Sequence, residues 1–414
     1  DNNANDITLT ANGATSNIAV RLINAGNVGD VTLTAGNDIL DTNSADAFLL
    51  TADVLTATAD NGTNDATDGI VLDTTINSLD ASVTAGAAGG NIDIDETDDI
   101  TLTDLDTANG SITVVAAGTI TATDVASLTD NNANDITLTA NGATSNIVVG
   151  TINAGNTNGD IVLLAGRSIL DADAMDPDLI ANDATLTATT GSIGGTSADV
   201  FLGIFDPLEV NLSGDLTATA TIGAVAVKGT ILGSTSANAV TLYLQSDGDL
   251  NFLSTTPTLT NLALIADADG NGVGTLNLGN SLTVSGDLRV EGAAITAADG
   301  TIDLAATRLG IRSRQSQTVS TVVSMLDAEI TNSLNPALVL TFNLTNTGAL
   351  TIQDLYGSPD GVRIQGGGSI AAMSPLTINS NVSVSASTTF AAGDSATAND
   401  DLLINNNAIV TLSG

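Results

Sequence analysis

Internal repetition constrains what this chain can fold into more than any other feature. Residues 1–27 read DNNANDITLTANGATSNIAVRLINAGN and residues 130–156 read DNNANDITLTANGATSNIVVGTINAGN, identical at 24 of 27 positions. After one inserted residue, GDVTLTAGNDILD at 29–41 matches GDIVLLAGRSILD at 159–171. The duplicated block is about 130 residues long, too long for one structural coil. A finer unit recurs inside it: Gly, Asn or Asp, then apolar, small polar, apolar. Asp6-Ile7-Thr8-Leu9, Asp30-Val31-Thr32-Leu33, Asp99-Ile100-Thr101-Leu102 and Thr301-Ile302-Asp303-Leu304 are examples, and Val382-Ser383-Val384 carries the pattern almost to the end.

Apolar side chains at i and i+2 share one face of a strand, and the residue between them faces the other way. The pattern predicts many short strands, with Ile7, Leu9, Ile100, Leu102, Ile136, Leu138, Ile302 and Leu304 buried and Thr8, Thr101 and Thr137 facing out. Apolar pairs begin at Ile92, Ile100, Ile112, Ile120, Leu128 and Ile136, in steps of 8, 12, 8, 8 and 8. Such steps suit a sandwich of hairpins as well as a solenoid. Two observations favour the solenoid. The inward positions are nearly all Ile, Leu, Val and Ala, and the pattern never breaks widely enough to close one sandwich and open another. The expected fold is all-β: a parallel β-helix, or β-solenoid, of roughly 15–20 coils with roughly 20–27 residues each. Residues 1–41 and 130–171 should then form the same coils, displaced along the axis by a whole number of turns.

Composition excludes many functions. The 414 residues include 47 Asp and Glu against 8 Lys and Arg, a net charge of −39, and no Cys, His or Trp. Without His or Cys there is no Ser-His or Cys-His nucleophile, no zinc site of the usual ligands, no haem and no iron–sulfur cluster. Lack of Cys excludes a disulfide scaffold and leaves the compartment open. The charge repels nucleic acid and acidic membrane surfaces, so nucleic acid is not an expected partner. No apolar run is long enough for a transmembrane segment. Hydrophobic residues at 43% argue against disorder. Glu occurs only at Glu96, Glu209, Glu291 and Glu329, leaving 43 Asp. Asp and Asn favour turns, where their short side chains bond nearby backbone. The chain starts at Asp1 with no signal peptide, which reads as a processed product or a piece of something longer.

The stretches ANDITLTANGATSN, GDVTLTAGNDIL, ANGSITVVAAGTITATD and GNSLTVSGDLRVEG resemble the repeats of filamentous-haemagglutinin-type exoproteins. They are also similar to the passenger rods of autotransporter adhesins. The resemblance covers about nine tenths of the chain. It implies a right-handed β-helix, export from a bacterium, and an extracellular or cell-surface rod or fibre. The secretion domain that begins such exoproteins is not visible in the sequence.

The pattern breaks over 306–336. Arg308, Arg312 and Arg314 sit within seven residues, in a chain with five other basic residues. Val319, Val322, Val323, Leu326 and Ile330 then recur at helical spacing, and Asn335-Pro336 would end such a helix. The domain plan is therefore solenoid coils over 1–305, a short helical insertion over 306–336 and further coils over 337–414. The insertion reads either as a docking or anion-binding element, or as a helix packed on one face with its arginines paired to neighbouring Asp. The Phe201–Phe205 neighbourhood reads as a place where the coil widens.

Three acidic clusters are candidate metal sites. Asp267, Asp269 and Asn271 have the oxygen spacing that opens a calcium loop, but its twelfth position is Leu278, where a bidentate acid is needed. The bland alternative is a Gly-rich turn between Ile265 and Leu276. Asp93, Asp95, Glu96, Asp98 and Asp99 place five carboxylates within seven residues, which repel unless a cation or water separates them; otherwise they are a solvated edge. Asp171, Asp173, Asp176 and Asp178 form the third cluster. No cofactor is required on this reading, and calcium is the ion the clusters point to.

The expected function is structural and non-catalytic: part of an extracellular fibre, adhesin or coat. Expected partners are the chain itself, as a head-to-tail filament or as a longer rod of the same polypeptide, and host or surface glycans. Neither end reads as a cap, since Asp1–Leu9 begins in repeat pattern and Ala408-Ile409-Val410-Thr411-Leu412 leaves in strand pattern. Divalent cations bridging Asp93–Asp99 should help assembly. One alternative is a polysaccharide-active β-helix enzyme using paired carboxylates. Against it stand a single Lys, Lys228, and aromatic platforms limited by two Tyr, Tyr243 and Tyr356, and no Trp. The other is a Thr-array binder of ice or glycans, for which Leu216-Thr217-Ala218-Thr219-Ala220-Thr221 and Leu186-Thr187-Ala188-Thr189 are the motive.

Overall fold

The computed structural model describes residues 5–41, 50–60, 69–84, 89–172, 177–195, 200–201, 206–252, 259–279, 281–357, 360–393, 402–404 and 409–412. The chain divides into two compact units, Asp1–Gly195 with Asp206–Ala224, and Thr196–Phe205 with Val225–Gly414. The strands pair in parallel and stack as a β-solenoid of about 15 turns, with no helix among the described residues.

In the first unit the stacking can be followed residue by residue. Ile18 pairs with Ile39, Ile39 with Ile70, and the column continues through Ile92, Ile112, Ile136 and Ile161. All seven isoleucines are at most 9% exposed. A second column runs Ile7, Val31, Leu55, Leu79, Leu102, Ala122 and Val149. Burying such an aliphatic side chain contributes about 1.5–3 kcal/mol, so these columns are the main source of stability. Ile100, Leu102, Ile136 and Leu138 are buried as the alternation requires, while Thr101 and Thr137 turn outward and stay half-buried. Ile7 is only half-buried and Leu9 is 39% exposed. Their strand, Ile7–Ala11, has a described neighbour on one side only, and a solenoid position is buried fully when coils cover both sides.

The two copies of the duplicated block form strands at the same sequence positions. The pairing Ile7↔Val31 has its counterpart in Ile136↔Ile161, and Ile18↔Ile39 in Ile147↔Ile169. The inserted residue falls in the turn before Gly159 and alters no register. The copies are not a whole number of turns apart, however. The column that starts at Ile18 arrives at Ile136, the copy of Ile7; the column that starts at Ile7 arrives at Val149, the copy of Val20. The coils between them differ in length, advancing 24 residues at Ile7↔Val31 but 20 at Ile92↔Ile112, so the block is not a multiple of one coil.

The residue before each strand explains the abundance of Asp and Asn. Asp135 Oδ1 accepts the amide of Asp160, Asp160 Oδ1 that of Asp183, and Asp183 Oδ1 that of Asp215. In the second unit Asp249 does the same for Thr275 and Asn261 for Asp287. Each side chain reaches the equivalent backbone of the next coil, so these bonds run as rungs along the coil axis. A side chain with a single methylene fits the roughly 4.8 Å step between strands; the longer Glu would overshoot it.

The last coils of the second unit show three columns. Leu340–Asn346 pairs with Gly366–Ala372 and that with Thr388–Ala392; Leu350–Ile352 leads to Leu376–Ile378 and Leu402–Ile404; Asp360–Ile364 leads to Asn381–Val384 and Val410–Leu412. Gly368 has φ +150°, and a Cβ there would come within 2.0 Å of the Phe342 carbonyl oxygen, so this close approach excludes a side chain.

Segment 306–336 is not a helical insertion. Ile302–Ser313 and Gln317–Ile330 are strands of 12 and 14 residues, paired in register from Ile302↔Val319 to Ser313↔Ile330. Ile302 and Leu304 are buried, as are Val319, Val323, Leu326 and Ile330, while Val322 is 56% exposed. Gln317, Val319, Thr321 and Val323 alternate inward at period two, and only the bend after Val323 gives the later apolar positions their helix-like spacing. The β-branched run favours the extended form once neighbouring coils supply partners.

Candidate functional site

The acids of 93–99 do not converge. Asp93 and Asp95 point outward from the strand Asn91–Glu96, and burial, then Asp95, pushes the Asp93 carboxyl up. Glu96 turns inward and is buried, accepting from Thr74 Oγ1 at 2.8 Å, Ile76 N at 3.1 Å and Thr97 N at 2.7 Å. Desolvation pushes its pKa up, and these bonds pull against it. Asp98 and Asp99 are exposed, with Asp99 Oδ1 accepting the Thr119 amide.

The loop of Asp267, Asp269 and Asn271 holds a cation of its own. Asp267 has a left-handed backbone, φ +57°, and is buried. Its Oδ1 accepts Gly272 N at 2.8 Å, and its Oδ2 accepts Arg314 Nε at 2.9 Å. Arg314 also donates to the Gly270 carbonyl at 2.9 Å. Asp269 and Asn271 turn their oxygens to the amides of Asn271 and Val273. A guanidinium thus occupies the hollow of the turn.

Among the described residues, one set of three carboxylates brings its oxygens within 4.8 Å of one another: Asp171, Asp178 and Glu209, all in the first unit. Asp171 ends the strand Ile169–Asp171, Asp178 precedes Leu179–Ala181, and Glu209 lies on Leu208–Leu212. Asp178 is fully buried and its backbone is held on both sides, its N–H donating to Glu209 O and its carbonyl accepting from Ile152 N. Oδ2 accepts the Glu209 amide at 2.8 Å, and Oδ1 is buried with no donor among the described residues. Burial pushes the Asp178 carboxyl up to about 8 against the Glu209 amide bond, and repulsion from Asp171 and Glu209 and a side-chain hydrogen bond with Glu209 push the same way. Asp173 and Asp176, from the same expected cluster, lie outside the described residues. Sequence reasoning missed Glu209, which stands 31 residues from Asp178. The signal available was the rarity of Glu. Glu96 anchors backbone, Glu291 and Glu329 pair with arginines, and Glu209 joins this set.

In the second unit the arginines are engaged. Arg308 forms a forked ion pair with Asp287, and Arg289 pairs with Glu291 at 2.9 Å while donating to Val200 O. Arg312 lies 3.7 Å over the Tyr356 ring, between Glu291 and Glu329. Phe201 meets Tyr356 edge-on at 5.4 Å, with Arg308 over its own face. Beside this cluster lies a groove of about 590 Å³, lined by Asp267, Glu291, Arg312, Arg314, Glu329 and Arg363 among others. Both of its Glu are matched by guanidinium groups.

Searches of protein-family models, curated proteins and solved structures found no match. The architecture is that of β-helix repeat proteins, a parallel solenoid of stacked short strands.

Proposed function

We propose that this chain is a non-catalytic structural solenoid of an extracellular bacterial fibre, adhesin or coat. It presents an acidic surface and associates with further copies of itself or with more of the same polypeptide. The observation that carries this reading is the axial rungs: Asp and Asn at the strand starts bind the next coil. The acids of the groove, Glu291 and Glu329, are held by Arg289, Arg312 and Arg363 rather than set as a free acid–base pair. The likeness of the repeats to filamentous-haemagglutinin-type exoproteins adds the surface location, with host or surface glycans as further partners. Electron microscopy and light scattering, with calcium and with chelator, test it. Filaments or head-to-tail oligomers are expected; a monodisperse 41.0 kDa species in every condition defeats the fibre reading.

One observation favours a second reading. Thr8, Thr32 and Thr56 stack in register, as do Thr10, Thr34 and Thr58, before Asp80 and Ser82 end the array. Hydroxyls and methyls then repeat at about 4.8 Å between coils and about 6.7 Å along each strand. Such a surface suits ordered water or a glycan. An ice-recrystallisation assay on the chain and on Thr32→Lys/Thr34→Lys tests it: inhibition lost in the variant supports the array, and no inhibition by the parent chain removes it.

A further inference from the structure

The geometry points to Asp171, Asp178 and Glu209 as a binding site for one divalent cation, calcium by preference. Three carboxylates from three segments meet within 4.8 Å, and with Asp178 and Glu209 both ionised Asp178 brings a buried oxygen that no donor among the described residues reaches. Leaving such an atom without a partner is costly, and a cation satisfies it directly. Among the described residues the charged groups that act on Asp178 are Asp171 and Glu209, both acidic, and no guanidinium takes the role that Arg314 has beside Asp267. The ligand set is oxygen alone, which selects hard cations over zinc, copper or iron. Oxygens within 4.8 Å of one another can share one ion bound at roughly 2.4 Å, and calcium's flexible shell accepts carboxylates from separate segments, whereas magnesium demands a near-ideal octahedron at roughly 2.1 Å and keeps most of its waters. The backbone of Asp178 is bound to the strands on either side, so its carboxylate is held in place before the ion arrives. The site does not rest on the fibre reading: all three residues belong to the first unit of one chain.

The test is calcium titration of the full chain by calorimetry at about 0.15 M salt, where the diffuse attraction of the acidic surface is screened. One saturable site is expected that magnesium at the same concentration does not fill. Asp178→Asn and Glu209→Gln should each weaken it roughly tenfold or more. Asp104→Asn, which removes an exposed acid stacked beside Asp80, should leave it unchanged. Thermal unfolding in chelator shows whether each variant folds, and Asp171→Asn, at the half-buried end of its strand, substitutes for any that does not. Calcium should raise the melting temperature of the parent chain and fail to do so in the folded variants. Variants that titrate like the parent would overturn the site and assign the bound calcium to the surface acids. The same holds for a parent chain without a saturable calcium site.

Discussion

The two copies of the duplicated block carry nearly the same residues and occupy different places. In the first copy Arg21 and Leu22 stand between the strands Ile18–Val20 and Ile23–Asn24. In the second, Gly150 and Thr151 stand there, and the strand runs unbroken over Ile147–Asn153. A Cβ at Gly150 would come within 2.6 Å of the Thr123 carbonyl oxygen on the preceding coil. Arg21 is exposed on a coil whose strand has a described neighbour on one side only. One of the three substitutions between the copies is thus explained by a packed backbone that the other copy lacks. The repeat encodes the coil; the neighbouring coils decide the column and the side chains it tolerates.

The two copies should differ most at matched leucines. Leu138→Ala removes a fully buried side chain and should cost about 2–5 kcal/mol. Leu9→Ala, at the equivalent but 39% exposed position, should cost less than about 1 kcal/mol. Denaturant unfolding of both variants checks this, and equal losses would mean that the copies are equally covered. The exchange at the strand junction comes next. Gly150→Arg should cost roughly 1–3 kcal/mol by forcing the coils apart, whereas Arg21→Gly should stay within about 0.5 kcal/mol. A well-tolerated Arg at 150 would show that the contact with Thr123 is not tight.

Smaller differences are expected at the rungs and at the strand-end acids. Asp160→Ala removes a rung and should cost about 0.5–1.5 kcal/mol, with faster hydrogen exchange at the Asp183 amide. Asp6→Ala, which loses the exposed rung to Asp30, should cost less. The smallest change concerns titration. Asp41 and Asp171 end the same strand in the two copies. Desolvation raises Asp73, with Asp41 adding repulsion; desolvation raises Asp178 to about 8, with Asp171 adding repulsion. Because both values are raised, the stability they contribute is complete below the unfolded carboxylate value near pH 4 and is lost as pH rises, through about 8 for Asp178. Carboxyl NMR titration in chelator should find Asp178 ionising last of this group. Asp171→Asn should lower its midpoint, and Asp41→Asn that of Asp73. An Asp178 that titrates near pH 4 would contradict its burial.

Much of the fold is legible in the i, i+2 spacing, because a coil is a local object: Ile100 and Leu102 are buried wherever the coil lies. What spacing does not carry is anything that depends on which coil lies next to which. The column change between the copies follows from unequal coil lengths that no single repeat displays. Val319 to Ile330 mimicked a helix because a bend shifts the phase of a strand, and one window of sequence cannot separate the two. The acids of 93–99 are dense in sequence yet divided by strand alternation, with Glu96 inward and Asp93 and Asp95 outward. Glu209 meets Asp178 only because a 31-residue excursion returns the chain to the same column. In the calcium-like loop the missing twelfth ligand was visible, but the arginine that fills the turn comes 47 residues later.

Parallel pairing has a consequence under force. Bonds such as Ile136 N–H to Asp160 O, and the Asp rungs beside them, lie along the coil axis. A pull along that axis within either unit loads one coil boundary at a time, as a zip is opened, instead of shearing many bonds together. Each boundary that yields frees one coil, from 17 residues at Ile302↔Val319 to 34 at Ala328↔Val362. At about 3.4 Å per extended residue, each step lengthens the chain by roughly 60–120 Å. Tension would therefore be relieved by a series of long, low-force extensions, each reversible when the coil rewinds onto its neighbour.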